Sequence, residues 1–174
     1  MPFELIEYAI RLALILIPLY LANASAMLFG AGTPLDLNKK FFDKKPLFGK
    51  GKTYRGTLIG IIVGVLAAII LNQAFFKESL LISKNYLLYG ILLSLGAIIG
   101  DIVASFIKRR VSIEKGKPAF LLDQLDFVAG GLILGAIIFI PTIEEIAFIV
   151  IATLIVHKIA NFIAFKWKLK GVPW

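Results

Sequence analysis

Gly56-Thr-Leu-Ile-Gly-Ile-Ile-Val-Gly-Val-Leu-Ala-Ala-Ile-Ile-Leu-Asn-Gln-Ala-Phe-Phe76 runs from end to end without an ionisable side chain. A helix needs about 20 mostly apolar residues to cross the hydrocarbon core of a bilayer, and this stretch supplies them. Four more runs match it: Ile6 to Leu28, Tyr86 to Ile107, Leu121 to Ile140 and Ile143 to Phe165. Hydrophobic residues make up 59% of the 174-residue chain, against roughly 45–50% in a soluble domain. The chain therefore reads as an all-α integral membrane protein with five transmembrane helices, a single domain over residues 1–174. The first run starts with Glu4 and Glu7 rather than a basic region, so it reads as a retained helix and not a signal peptide. Pro141 stops the fourth run, and Thr142 with Glu145 has the spacing of a capping box for the fifth.

Basic residues set the expected orientation. The first connection carries Lys39, Lys40, Lys44, Lys45, Lys50, Lys52 and Arg55; the third carries Lys108, Arg109, Arg110, Lys115 and Lys117; the tail carries Lys166, Lys168 and Lys170. The second and fourth connections have little: Lys77, Lys84 and Glu78, then Glu144 and Glu145. This alternation puts the N-terminus outside, with two basic loops and the C-terminus cytoplasmic, in the cell membrane. The net charge of +8 is thus assigned to topology and anionic ligands, with no nucleic acid partner. Absence of cysteine excludes disulfides, thiol catalysis and thiolate-bound metal.

Three aspartates interrupt the apolar runs. Asp101 lies in Ile98-Ile-Gly-Asp-Ile-Val-Ala-Ser-Phe-Ile107, about two turns before Lys108; Asp123 and Asp126 lie in Leu121-Leu-Asp-Gln-Leu-Asp-Phe-Val-Ala-Gly-Gly131. The short loop between these runs makes them antiparallel neighbours, so all three acids meet at one depth near the cytoplasmic surface. Residues three or four apart share a helix face, which aligns Asp101, Ser105 and Lys108, with Arg109 beside them. Converging carboxylates repel in a low dielectric and need neutralising. Hard oxygen donors without thiolate suit Mg²⁺, which combines one or two carboxylates with substrate phosphates. The alternatives are a helix-dipole role for Asp123 and a structural ion pair between Asp101 and Lys108 or Arg109.

Gly49-Lys-Gly-Lys-Thr-Tyr-Arg-Gly56 lacks P-loop spacing and a preceding strand. Its glycines nevertheless allow close phosphate approach, and Lys50, Lys52, Thr53 and Arg55 supply charge and a hydroxyl at a helix start. An ordinary positive-inside loop on lipid head groups is the plainer reading. Asn23 sits near the cytoplasmic end of the first run and suits either a nucleotide pocket or helix–helix hydrogen bonding. His157, Lys158 and Asn161 read as packing and snorkelling groups, and Trp167 and Trp174 as interface anchors.

Gly100-Asp-Ile-Val-Ala-Ser-Phe-Ile-Lys-Arg109 followed by Leu122-Asp-Gln-Leu-Asp126 resembles the signature of the membrane cytidylyltransferases that make CDP-activated lipids. The short chain, the Pro-Ala-x-Leu-Leu-Asp-Gln-Leu-Asp-Phe wording and the Gly-Lys-Thr-x-Arg-Gly loop are similar to the archaeal branch, the CDP-archaeol synthases. The resemblance implies Mg²⁺-dependent transfer of a cytidylyl group from CTP to an isoprenoid lipid phosphate, 2,3-di-O-geranylgeranylglyceryl phosphate, giving CDP-archaeol and pyrophosphate. It implies one transmembrane catalytic domain whose active site faces the cytoplasm. It further implies metal binding by Asp101, Asp123 and Asp126, a catalytic role for these and Lys108, and CTP binding by Lys108, Arg109, Thr53 and Arg55. Asn23, Lys50, Lys52 and Ser105 complete the candidate phosphate-binding set. Competing expectations are a CTP-dependent polyprenol kinase, which would transfer the γ-phosphate instead, and a small ion transporter, which would distribute its acids across the membrane depth.

Overall fold

The computed structural model describes residues 2–113, 117, 119 and 121–168; Lys115, Lys170 and Trp174, named above, lie outside them. Six helices follow in order: α1 (Pro2–Leu28), α2 (Tyr54–Ala74), α3 (Phe76–Ile82), α4 (Tyr86–Arg110), α5 (Leu122–Gly135) and α6 (Ile143–Lys166). No strand occurs among the described residues. Four helices, α1, α2, α4 and α6, are long and apolar enough to cross a membrane. The run expected over Leu121–Ile140 differs: its helix has 14 residues, which at 1.5 Å per residue falls short of an approximately 30 Å hydrocarbon core. The remainder to Phe139 continues as turns, with Ile138 and Phe139 both donating to the Gly135 carbonyl. Hydropathy counts apolar residues but does not register where a backbone leaves the helix.

The capping box forms as its spacing predicts. Thr142 Oγ1 accepts from the Glu145 N–H at 3.3 Å, and Glu145 Oε2 accepts from the Thr142 N–H at 2.8 Å. At α2, Thr53 Oγ1 accepts from the Gly56 N–H at 3.1 Å, satisfying a donor that the first turn leaves open.

Helix contacts rely on small residues, because lipid chains are as apolar as leucine and supply no hydrophobic drive between helices. The closest pairing is α4 with α5. A Cβ at Gly96 would lie 2.7 Å from the Gly131 Cα, and one at Gly130 would lie 2.7 Å from the Gly100 Cα. Only hydrogen at these positions lets the two backbones meet, and Asp101 follows directly in sequence.

Pro18 stands in the middle of α1. Proline has no N–H, so the carbonyl four residues back, Leu14, loses its helical donor. The Tyr86 hydroxyl of α4 donates to that carbonyl at 2.8 Å, in full burial. The proline thus creates an acceptor that joins α1 to α4.

The connection from α1 to α2 is an ordered lobe. Leu35 N–H donates to the Lys52 carbonyl at 2.7 Å and Tyr54 N–H to the Thr33 carbonyl at 3.1 Å, closing its base. Asp36, 4% exposed, accepts from the N–H groups of Asn38, Phe48 and Gly49 at 3.0, 3.1 and 2.8 Å. Burial pushes this carboxyl up, but the hydrogen bonds from Gly49, Phe48 and Asn38 outweigh it and hold the pKa below the ordinary value. Arg110, at the end of α4, lies over the rings of Phe41 and Phe106 and reaches Asp43 at 3.0 Å and the Pro46 carbonyl. Lys45 Nζ donates to the Arg110 carbonyl at 2.8 Å. The lobe is therefore pinned to the same end of α4 that carries Lys108.

Two outcomes follow. Tyr86→Phe should destabilise the protein by about 1–3 kcal/mol, the cost of orphaning a buried acceptor, and most of that should vanish in the Pro18→Ala background, where an N–H is restored; a thermodynamic cycle in detergent checks this. Asp36 has its pKa lowered by folding, so its stabilisation is complete above the unfolded value of about 3.9 and is lost as pH falls through the lower folded value. Asp36→Asn should abolish that acid limb and accelerate amide exchange at Phe48 and Gly49.

Candidate active site

One cavity of about 280 Å³ opens where the C-terminal ends of α1 and α4 meet the N-terminal ends of α2 and α5. Asp101 comes from α4, and Asp123 and Asp126 from the first turns of α5. Lys52 and Thr53 enter from the lobe, Lys108 from the last turn of α4, and Asn23 from α1. Seven of the residues singled out in the sequence thus line a single space.

Charge alternates inside it. Lys52 Nζ lies 2.5 Å from Asp101 Oδ1. Lys108 pairs with Asp123 Oδ1, and the other oxygen of Asp123 accepts from the Ala119 N–H at 2.9 Å. Asp126 forms no ion pair among the described residues. Its Oδ1 accepts from the Phe127 N–H at 2.7 Å, while its charge is repelled by Asp101 and attracted by Lys52 and Lys108.

Among the described residues, no three His, Asp or Glu side chains are grouped to hold a metal ion. Asp123 is turned to Lys108 and Ala119, so Asp101 and Asp126 remain as the facing carboxylates. The ion pair considered for Asp101 also forms with a different cation: Lys52 from the lobe rather than Lys108 or Arg109 on its own helix.

Four candidates stay out of the lining. Lys50 and Arg55 are exposed, because Thr53 and Gly56 occupy the inward face of the α2 start. Ser105 shares the Asp101 stripe but is buried at 4% exposure. Arg109 turns toward the lobe, where a Cβ at Gly49 would lie 3.8 Å from its Nε.

Two residues read as packing groups line the cavity instead. His157 and Asn161 of α6 both face it, with Asn161 Nδ2 3.1 Å from His157 Nδ1. A sequence signal for them exists. Glu145, Ile149, Thr153, His157 and Asn161 recur every fourth residue and form one ridge of α6. Four of those five are polar in a mostly apolar helix.

A family model described as CarS-like: CDP-archaeol synthase matches residues 3–174. The CDP-archaeol synthase of Methanocaldococcus jannaschii is 46% identical over 168 residues, covering 91% of this chain and 93% of the relative. That of Pyrococcus abyssi is 40% identical over 162 residues, covering 91% and 94%. A solved structure reported as an intramembrane enzyme for archaeal membrane lipids biosynthesis superposes with a TM-score of 0.77 at 33% identity, covering 86% of this chain and 91% of its own. With a family match across nearly the whole length, relatives of matching extent and a shared fold, the chain belongs to the CDP-archaeol synthase family.

Proposed function

We propose that the cavity transfers the cytidylyl group of CTP to the phosphate of 2,3-di-O-geranylgeranylglyceryl phosphate, releasing pyrophosphate and leaving CDP-archaeol in the membrane. The observation that carries this reading is the alternation of lysine and aspartate around one cavity, in a chain of the CDP-archaeol synthase family. Lys52 and Lys108 each satisfy an acid internally and can exchange it for a phosphate oxygen.

The donor set fits a divalent cation. Asp101 and Asp126 offer hard oxygens, their like charges face one cavity, and Asp126 has no ion pair among the described residues. Such donors suit Mg²⁺; Asp101 and Asp126 would hold it, joined by Asp123 when Lys108 turns to phosphate. When bound, the ion would neutralise charge on the departing pyrophosphate. Lys52 and Lys108 grip the β- and γ-phosphate oxygens. Thr53 and the α2 N-terminus add donors beside them. The lipid phosphate oxygen attacks the α-phosphorus, the bond to the bridging oxygen breaks, and its electron pair leaves with pyrophosphate. An anionic phosphate nucleophile needs no strong base, so positioning and charge neutralisation are the main contributions of the protein.

The whole chain acts as one transmembrane catalytic domain with five crossings, an outward N-terminus and a cytoplasmic site. Supporting this, α1, α2, α4, α5 and α6 all contribute to the cavity, and Lys52, Lys108 and Lys117 line it. Arg11 near the start of α1 pairs with Glu145 at the start of α6 at 2.9 Å, which supports α5 and its following turns carrying the chain to the far side.

With purified protein and the ether lipid phosphate, CTP labelled at α should label the lipid, with one pyrophosphate released per product; lipid labelled from the γ position would mean a kinase. Asp126→Asn should lower turnover by about 100- to 1,000-fold while folding normally by circular dichroism. Lys52→Met should act with opposite signs on the two ligands. CTP binding weakens by about ten-fold or more, whereas Mg²⁺ binding without nucleotide strengthens because Asp101 loses its internal counter-ion; calorimetry reads both.

A further inference from the structure

Both acids of the lobe are already satisfied within the protein. Asp36 is buried and accepts three backbone N–H groups. Asp43 Oδ1 accepts from the Lys45 N–H and from Arg110 Nη1, each at 3.0 Å. Lys45 is engaged too, on the Arg110 carbonyl and the Ser112 hydroxyl at 2.8 and 2.7 Å. Lys39, Lys40 and Lys44 remain. They are exposed and form no ion pair among the described residues. No acid of the lobe balances them.

Among these lysines stand two aromatic rings. Phe42 is 95% exposed, and its ring meets Phe41 edge-on at 5.0 Å. Phe41 in turn meets Phe106 of α4 edge-on at 5.4 Å, and Arg110 lies over both Phe41 and Phe106. Three- and four-residue spacing puts Phe106 and Arg110 on the same face of α4 as Ile99, Val103 and Ile107. Those three are exposed, on a helix long and apolar enough to cross a membrane. Such a face meets lipid. The row Phe106, Phe41, Phe42 therefore continues the lipid-facing stripe of α4 past its last turn and onto the lobe. Phenylalanine gains by leaving water, and lysines gain beside anionic headgroups. A bilayer surface with negative lipids satisfies both at once.

We propose that the tip of the lobe, Lys39 to Lys44, docks on an anionic membrane surface beside α4, with Phe42 inserted among the headgroups and Lys39, Lys40 and Lys44 on lipid phosphates. Continuity with the α4 stripe and the charge select lipid as the occupant. A second copy of the chain would bring the same positive patch and be repelled. Lys52 belongs to the same lobe, so docking also holds one wall of the cavity to the membrane. The docking itself does not depend on the reaction proposed above.

The chain has no cysteine, so a spin label on Phe42→Cys reports this position alone. In nanodiscs containing phosphatidylglycerol, the label should be more accessible to oxygen, which concentrates in the bilayer, than to a water-soluble nickel chelate. Lys39→Gln, Lys40→Gln and Lys44→Gln combined should lower the ratio of docked to undocked label by about 100-fold, at about five-fold per lysine. Pure phosphatidylcholine nanodiscs should lower it similarly. Preferential access to the nickel chelate in phosphatidylglycerol would overturn the docking. Shielding from both reagents would mean that protein covers the ring, and would overturn it as well. A ratio unmoved by the triple substitution or by neutral lipid would overturn the recognition of anionic headgroups. Circular dichroism checks each variant's fold. If Phe42→Cys fails, the same label on Lys40→Cys decides: phosphatidylglycerol should shield it from the nickel chelate relative to phosphatidylcholine, and equal access in both lipids would overturn the proposal.

Discussion

Backbone contact between α4 and α5 governs the rest of the site. Glycines at 96, 100, 130 and 131 let the two helices approach at distances where any Cβ would collide, and Asp101 and Asp126 occupy adjoining positions on that seam. Their carboxylates are brought together by packing, against their own repulsion. In a low-dielectric setting such a pair stands only if cations are placed nearby. Those cations come from outside the seam, Lys52 from the lobe and Lys108 from the end of α4. The lobe is in turn fixed by Asp36 within it and by Arg110 between two aromatic rings. Glycine contact, acid pair, lysine placement and lobe fold form one chain of dependence.

This order explains which features could be read from the sequence. Apolar runs, the Thr142–Glu145 cap and the antiparallel pairing of the acid-bearing segments are local or nearest-neighbour properties, and each has a periodic or spacing signal. That Asp101, Asp123 and Asp126 line one cavity followed from them. Which cation meets which acid did not follow. Helical spacing offers Lys108 or Arg109 to Asp101, yet Lys52, 49 positions upstream, takes that place because the lobe that carries it is folded by hydrogen bonds to Asp36. In the sequence Asp36 looks like one acid diluting a run of lysines, and Lys45 and Arg110 look like topological charges. Their structural work depends on contacts across 64 to 67 positions, and no periodicity encodes those.

The outer helix shows the complementary limit. Averaged hydropathy makes α6 the plainest of spans, and His157 and Asn161 disappear among isoleucines and phenylalanines. A helix in lipid gains nothing hydrophobic by docking on its neighbour, so α6 requires specific ties, and Glu145 and Thr153 provide them. Polar residues at four-residue spacing in such a helix therefore mark the face that meets protein. His157 and Asn161 continue that face and line the cavity.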